Sequence, residues 1–384
     1  MKNYGKGWCI LLGLCLGAGQ AGAAAAPAGG LLKIGAIFAL SGPNASIGQE
    51  ALSGTQYAVD AINAAGGALI GGIQYKIQLV NVDDQSQSER SVIAAQRLIA
   101  QDNVPIVFTP PSSTTTLAVL PIAEKSKRVA MSFVAAAPAV INPEDKYSFR
   151  STLNSVMNVS PSVDYLVKSK GVKTIAYLGR NDDWGRAAGK AIVAEAAALG
   201  AKVVEEDYFD TGSTDFYGLL TKVGESHPDA VIAAAFTEDG LPMIKQYREL
   251  QMKPVFLSVA VIWASPTFVR AAGADLDGVY IATGPTTTQS PELDAFKAEF
   301  LKKTGSAALP FGITGFDNVN LLIAAMQKAG STDPEKLRET LRNFSYKGLL
   351  QTYQFHDSNQ SQIVINVNQA SGGKIKVISS QTTN

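Results

Sequence analysis

The chain is poor in the residues that most often carry chemistry. It has two cysteines, Cys9 and Cys15, and both lie in the N-terminal segment. The rest of the chain is thereby left without structural disulfides, a thiol nucleophile or cysteine-ligated metal. It has two histidines, His227 in Ser226-His227-Pro228 and His356 in His356-Asp357-Ser358-Asn359. Neither has a second ligand at helical or hairpin spacing, and both read as surface turn residues. A GxSxG elbow and an HExxH helix are absent, and no GxxxxGK[ST] loop or dinucleotide glycine fingerprint opens the first βα unit. The expectation is a non-enzymatic protein with no cofactor and no metal.

Net charge is missing as well. Lys+Arg and Asp+Glu each number 33, so there is no basic surplus for a nucleic-acid partner. No stretch beyond the N-terminus has the roughly 20 apolar residues that a membrane-spanning helix needs. At the N-terminus, Lys2 and Lys6 precede an apolar core from Trp8 to Leu16 and a small-residue tract from Gly17 to Ala28. That order reads as an export signal over residues 1–25, cleaved near Ala21-Gly22-Ala23 or Ala23-Ala24-Ala25, and as a periplasmic destination. The apolar core is short for a membrane anchor, and Leu14 before Cys15 is too bulky for a lipid-attachment site.

What is present is hydrophobic and ordered. Hydrophobic residues make up 46% of 384 residues, enough for two medium cores. Leu31 to Leu40 is an apolar run suited to a strand covered on both faces. A helix is predicted from Gln49 to Ala64, stopped by Gly66-Gly67. Strands at Ile73–Val82, Val104–Thr109 and Val129–Val134 alternate with helices at Ser88–Ala100 and Thr114–Lys125. A second series places strands at 174–178, 202–208, 230–236, 255–257 and 279–282, with helices at 184–199, 215–225, 239–250 and 266–271. Helices at 291–303, 314–329 and 333–343 follow, then strand-like runs at 350–355, 362–367 and 374–379. Strand–helix alternation implies right-handed βαβ units and parallel sheets.

Ligands of open α/β sheets bind beyond the carboxyl ends of strands. Pro110-Pro111-Ser112-Ser113-Thr114-Thr115-Thr116 stands at such an end and opens a helix. Free helix N–H groups with hydroxyls alongside suit a carboxylate. Ordinary N-capping by Ser113 or Thr114 uses the same geometry, and both readings stand.

Several stretches carry a family likeness: Leu40-Ser41-Gly42-Pro43, the run from Val59 to Gly67, Asp83-Asp84, the Pro/Ser/Thr loop and Ala135-Ala136-Ala137-Pro138. With the exported N-terminus, the chain resembles the leucine/isoleucine/valine-binding branch of the periplasmic solute-binding proteins of ABC importers. The resemblance implies an α/β, two-lobed type I periplasmic-binding-protein fold, each lobe a mainly parallel sheet flanked by helices. It implies three hinge crossings, placed near 148–152, 282–285 and 348–353. The N-terminal lobe is expected over 31–149 plus 285–349, and the C-terminal lobe over 150–284 plus 350–384. A solute would bind between the lobes of a monomer and pass to a membrane permease.

Family ligand contacts carry over by position. Ser113, flanked by Ser112 and Thr114, matches the serine that holds the ligand carboxylate. The family threonine that meets the α-amino group is replaced by Ala136, leaving the backbone of Val134 and Ala136. The family glutamate that faces the ammonium aligns with Ala260. Trp184 and Phe236 match aromatic cleft walls, and Ile47 stands where an aromatic often flanks the ligand. A buried ammonium without a counter-charge costs several kcal/mol. The expected ligand is therefore a carboxylate lacking an ordinary α-amino group, an aromatic or other organic acid. Alternatives are a branched-chain amino acid or amide, with Asp182, Asp183, Glu238 or Asp239 replacing the lost acid, or a ligand sensor of the same fold. Arg180 would pair with a second acidic group. Each of these five charged residues, taken singly, reads first as a solvated rim residue.

Overall fold

A computed structural model describes residues 29–285, 290–355 and 358–382. Cys9, Cys15, the expected 1–25 signal and His356 lie outside the described residues. Among the described residues no helix is long and apolar enough to cross a membrane.

The first series is β1 (Gly29–Ile37), α1 (Ala45–Ala64), β2 (Ala68–Ile70), β3 (Ile73–Val82), α2 (Ser88–Ala100), β4 (Ile106–Phe108), α3 (Ser113–Lys125), β5 (Val129–Ser132) and β6 (Ser148–Arg150). These strands form one sheet in the order β2-β3-β1-β4-β5-β6. All of its pairings are parallel except β2 with β3. Ile34, Ala36 and Ile37 of β1 are fully buried, which is why that strand reads as an unbroken apolar run.

The second series is α4 (Ser155–Asp164), β7 (Thr174–Arg180), α5 (Asp183–Ala198), β8 (Lys202–Phe209), α6 (Tyr217–Glu225), β9 (Ala230–Ala234), α7 (Thr237–Glu249), β10 (Val255–Ser258), α8 (Pro266–Ala272) and β11 (Tyr280–Thr283). After it come α9 (Pro291–Thr304), α10 (Pro310–Ala329), α11 (Pro334–Arg342), β12 (Ser345–Lys347), β13 (Thr352–Gln354), β14 (Val364–Ser371) and β15 (Lys374–Thr382). The second sheet runs β15-β14-β11-β10-β9-β7-β8. Its core is parallel, and β14 and β15 close one edge antiparallel.

Each sheet has a point where the strand order reverses: β1 between β3 and β4, and β7 between β8 and β9. The carboxyl ends of those strands leave a crevice, the usual ligand position in open α/β sheets. Helix α10 returns to the first lobe and packs on α1. Glycine makes this close: a Cβ on Gly54 would lie 1.8 Å from the Gly312 carbonyl oxygen. That approach brings the first turn of α10 to the cleft.

Three local departures from the sequence reading matter. Helix α4 was not predicted, because Pro161 and its serines obscure the periodicity. Its start is well marked, since the Asn154 side chain accepts from the N–H groups of Val156 and Met157, each at 2.9 Å. Helix α10 begins at Pro310 rather than Thr314, with proline in its favoured first-turn position. The third crossing lies later than 348–353. Residues 345–354 fold back as the β12–β13 hairpin. Leu349 N–H, Leu350 N–H and the Tyr353 hydroxyl all donate to the Asp317 carboxylate of α10, at 2.9, 3.1 and 3.0 Å. The chain then passes Arg150, whose N–H donates to the Asn359 carbonyl at 2.9 Å, and joins the second sheet at β14.

Candidate ligand-binding site

Between the lobes lies a cavity of about 440 Å³, part of it open to solvent. The first lobe contributes Pro111, Ser112 and Ser113 from the β4–α3 loop, Val134 and Ala136 after β5, and Phe311 from α10. The second contributes Asp182, Trp184 and Phe236 after β7 and β9, and Val259, Ala260 and Val261 after β10. Thr152 and Leu153 complete it from the first crossing. The walls are mostly apolar, and the polar members are Ser112, Ser113, Thr152 and Asp182.

Polar capacity concentrates at the start of α3. The residue before the helix, Ser112, makes no side-chain cap bond. Ser113 Oγ instead accepts from Ala137 N–H at 3.0 Å. Thr114 Oγ1 accepts from Asp183 N–H at 3.3 Å, and Thr115 Oγ1 donates to the Ser112 carbonyl at 3.1 Å. None of these hydroxyls caps the first-turn amides, which a helix leaves without intrahelical partners. Ser113 Oγ, already an acceptor, keeps its own proton for another acceptor. The N-capping reading therefore fails here, and the amides with the Ser113 hydroxyl form a donor cluster at one end of an apolar cavity.

The opposite wall is aromatic. Trp184 and Phe236 stack with ring centroids 4.6 Å apart and planes 7° apart. The Arg180 guanidinium lies 4.6 Å from the Phe236 centroid. Sequence reading placed Arg180 and Asp239 on a solvated rim, yet each is only 1% exposed. They belong to one buried ionic group: Arg180 Nε sits 3.3 Å from Asp182 Oδ2 and 3.7 Å from Asp239 Oδ2. Burial pushes the Asp239 carboxyl above its ordinary range, against the pull of Arg180. Asp182 also caps α5, accepting from Gly185 N–H at 2.8 Å. Strand periodicity cannot reveal such burial, because it arises where β7 and α7 from distant sequence meet. Asp183 is exposed, and Glu238, half-buried, does not line the cavity.

Acceptors for an ammonium are scarce. Ala260 lines the cavity and offers only a methyl group. The Ala136 carbonyl already accepts from Ser155 N–H at 2.7 Å and Ser155 Oγ at 3.0 Å. Among the described residues the carbonyls of Pro111, Val134 and Leu153 line the cavity without a hydrogen-bond donor.

Of the sequence-predicted residues, Ser112, Ser113, Val134, Ala136, Trp184, Phe236 and Ala260 share one cavity. Two do not. Ile47, on the first turns of α1, is fully buried and is not among the residues that line this cavity. Thr114 instead ties the lobes together through Asp183. A second tie joins Asn44 Oδ1 to Arg180 Nη2 at 3.0 Å. Sequence reasoning missed Leu153 and Phe311. Phe311 had a signal, the helix-starting Pro310 before it. Leu153 had none, lying in the irregular crossing before α4. His227 is exposed in a turn with φ 46°, as expected.

The profile of the periplasmic binding protein family matches residues 32–368. The Leu/Ile/Val-binding protein BraC3 of Rhizobium johnstonii is 26% identical over 314 residues, covering 81% of this chain and 83% of that one. A solute-binding protein of an ABC transporter from R. palustris, in complex with benzoate, superposes with a TM-score of 0.83 at 19% identity, covering 91% of this chain and 96% of that one. The substrate-binding protein of a branched-chain amino acid transporter from Streptococcus pneumoniae, in complex with isoleucine, gives 0.80 at 22% identity, covering 92% and 99%. At these identities the structural likeness concerns the fold.

Proposed function

The chain belongs to the periplasmic binding protein family, and from that premise we propose that its cleft takes a small carboxylate without an α-ammonium group, an aromatic acid foremost. Members of this family are extracytoplasmic solute-binding components of ABC transporters, and this chain acts as one. On this reading the N-terminal segment directs export, and the loaded protein, a monomer, hands its solute to the membrane permease.

The observation that carries the reading is the contrast between the two ends of the cavity. One end gathers uncapped α3 amides and the Ser113 proton, donors without an acceptor among the described residues. Elsewhere the acids are committed to Arg180 and Ala260 carries no charge. A carboxylate gains charge-assisted hydrogen bonds there, whereas an ammonium must leave water for neutral backbone carbonyls and apolar walls. The Trp184–Phe236 stack suits a ring. The benzoate-bound relative supports the same direction.

A second reading is a branched-chain amino acid, favoured by the free Val134 carbonyl and by the named Leu/Ile/Val-binding relative. Calorimetry against benzoate, 4-hydroxybenzoate, phenylpropenoate, leucine, isoleucine and valine decides between them. The proposal expects micromolar or tighter binding of an aromatic acid and at least tenfold weaker binding of leucine. Leucine binding more tightly than every aromatic acid overturns it.

A further inference from the structure

Arg150 and Arg180 rank among the largest fully buried side chains, and they differ in one respect. Arg180 faces two carboxylates. Arg150, at the end of β6, makes no ion pair among the described residues. Its Nη1 donates to the Ala137 carbonyl at 2.6 Å and its Nε to Gln360 Oε1 at 2.5 Å, both neutral acceptors. Burial lowers its pKa to about 9. It therefore keeps its charge at neutral pH, in a place where an unpaired charge is costly.

Ala137 links this cation to the ligand end of the cleft. Its carbonyl accepts from Arg150, while its N–H donates to Ser113 Oγ at 3.0 Å. We propose that Arg150 is the positioning and charge-supplying residue for the bound carboxylate, acting through Ala137 and Ser113 without touching the ligand. The inference rests on the carboxylate reading. Among the described residues no lysine or arginine lines the cavity, so positive potential from behind the wall would favour an anion there. A guanidinium one residue removed supplies it at short range in a medium of low dielectric. In turn, the ligand's charge compensates the arginine. Arg150 also holds the first crossing to the third through Gln360, whose Nε2 donates to the Thr152 carbonyl at 2.7 Å. The same residue thus couples the anion site to the segments that bend on closure.

The test is calorimetry with benzoate and its neutral analogue benzamide on the full-length protein. Arg150→Met should weaken benzoate about tenfold and change benzamide less than about twofold. Arg150→Lys, which keeps the charge, should recover most of the benzoate affinity. Gln360→Glu leaves the arginine in place and sets an acid beside it. It should also weaken benzoate selectively, and it carries the test if Arg150→Met does not fold. Equal weakening of both ligands, or unchanged benzoate binding in Gln360→Glu, overturns the assignment and leaves the carboxylate reading standing. If no carboxylate binds the wild-type protein, both fall.

Discussion

Removing the Ser113 hydroxyl should have two separable effects. Ser113→Ala deletes a single oxygen at the first position of α3, where alanine is a good helix former. In the ligand-free protein, Ala137 N–H loses its acceptor at 3.0 Å. Ala137 is 2% exposed, so that donor is left buried. An unsatisfied buried donor costs about 1–3 kcal/mol, which should lower the melting temperature by a few degrees. In the complex, a carboxylate also loses the Ser113 proton. A hydrogen bond to a charged group contributes about 1.5–3 kcal/mol, or roughly 10- to 150-fold in Kd. The first-turn amides remain, so binding should weaken and not vanish. Differential scanning calorimetry without ligand and titration with benzoate measure the two separately. A lowered melting temperature with benzoate affinity within twofold of wild type would refute the reasoning, because Ser113 would then serve Ala137 alone.

Two other predictions follow from buried groups near the cleft. Glu50 on α1 accepts from Phe311 N–H, and burial raises its pKa from 4.5 to about 8. Below pH 4.5 both folded and unfolded chains hold this proton. As pH rises the unfolded chain releases it first, so the fold loses stability until about pH 8, by roughly 3 kcal/mol at about pH 7. Glu50→Gln should remove that loss, raising the melting temperature at about pH 8 and changing it little at about pH 4.5; equal shifts at both would contradict the argument. Asn44→Ala deletes the 3.0 Å contact to Arg180 that ties the lobes. It should speed ligand dissociation about tenfold in stopped-flow experiments while association changes little; an unchanged off-rate would remove Asn44 from the closure.

Local pattern makes much of this molecule readable from its sequence. The apolar run ending at Leu40 and the strand–helix alternation announce parallel sheets, since strands buried on both faces cannot alternate. The Ser112–Ser113 loop could be placed on the cleft because a strand end and a helix start are both local events. Where local pattern was silent, elements were lost: α4 behind Pro161, and the first turn of α10 before Thr314.

The sequence by itself determined the fold class, the helix start that offers donors, and the loss of hydroxyl and carboxylate at Ala136 and Ala260. Those are matters of residue identity and short-range periodicity. Only the tertiary structure decided which charges are free. It committed Asp182 and Asp239 to Arg180, left Arg150 without an acid among the described residues, buried Ile47 and turned Thr114 to the other lobe. Solvation and pairing depend on what faces a side chain from remote parts of the chain, and residue order alone does not carry that.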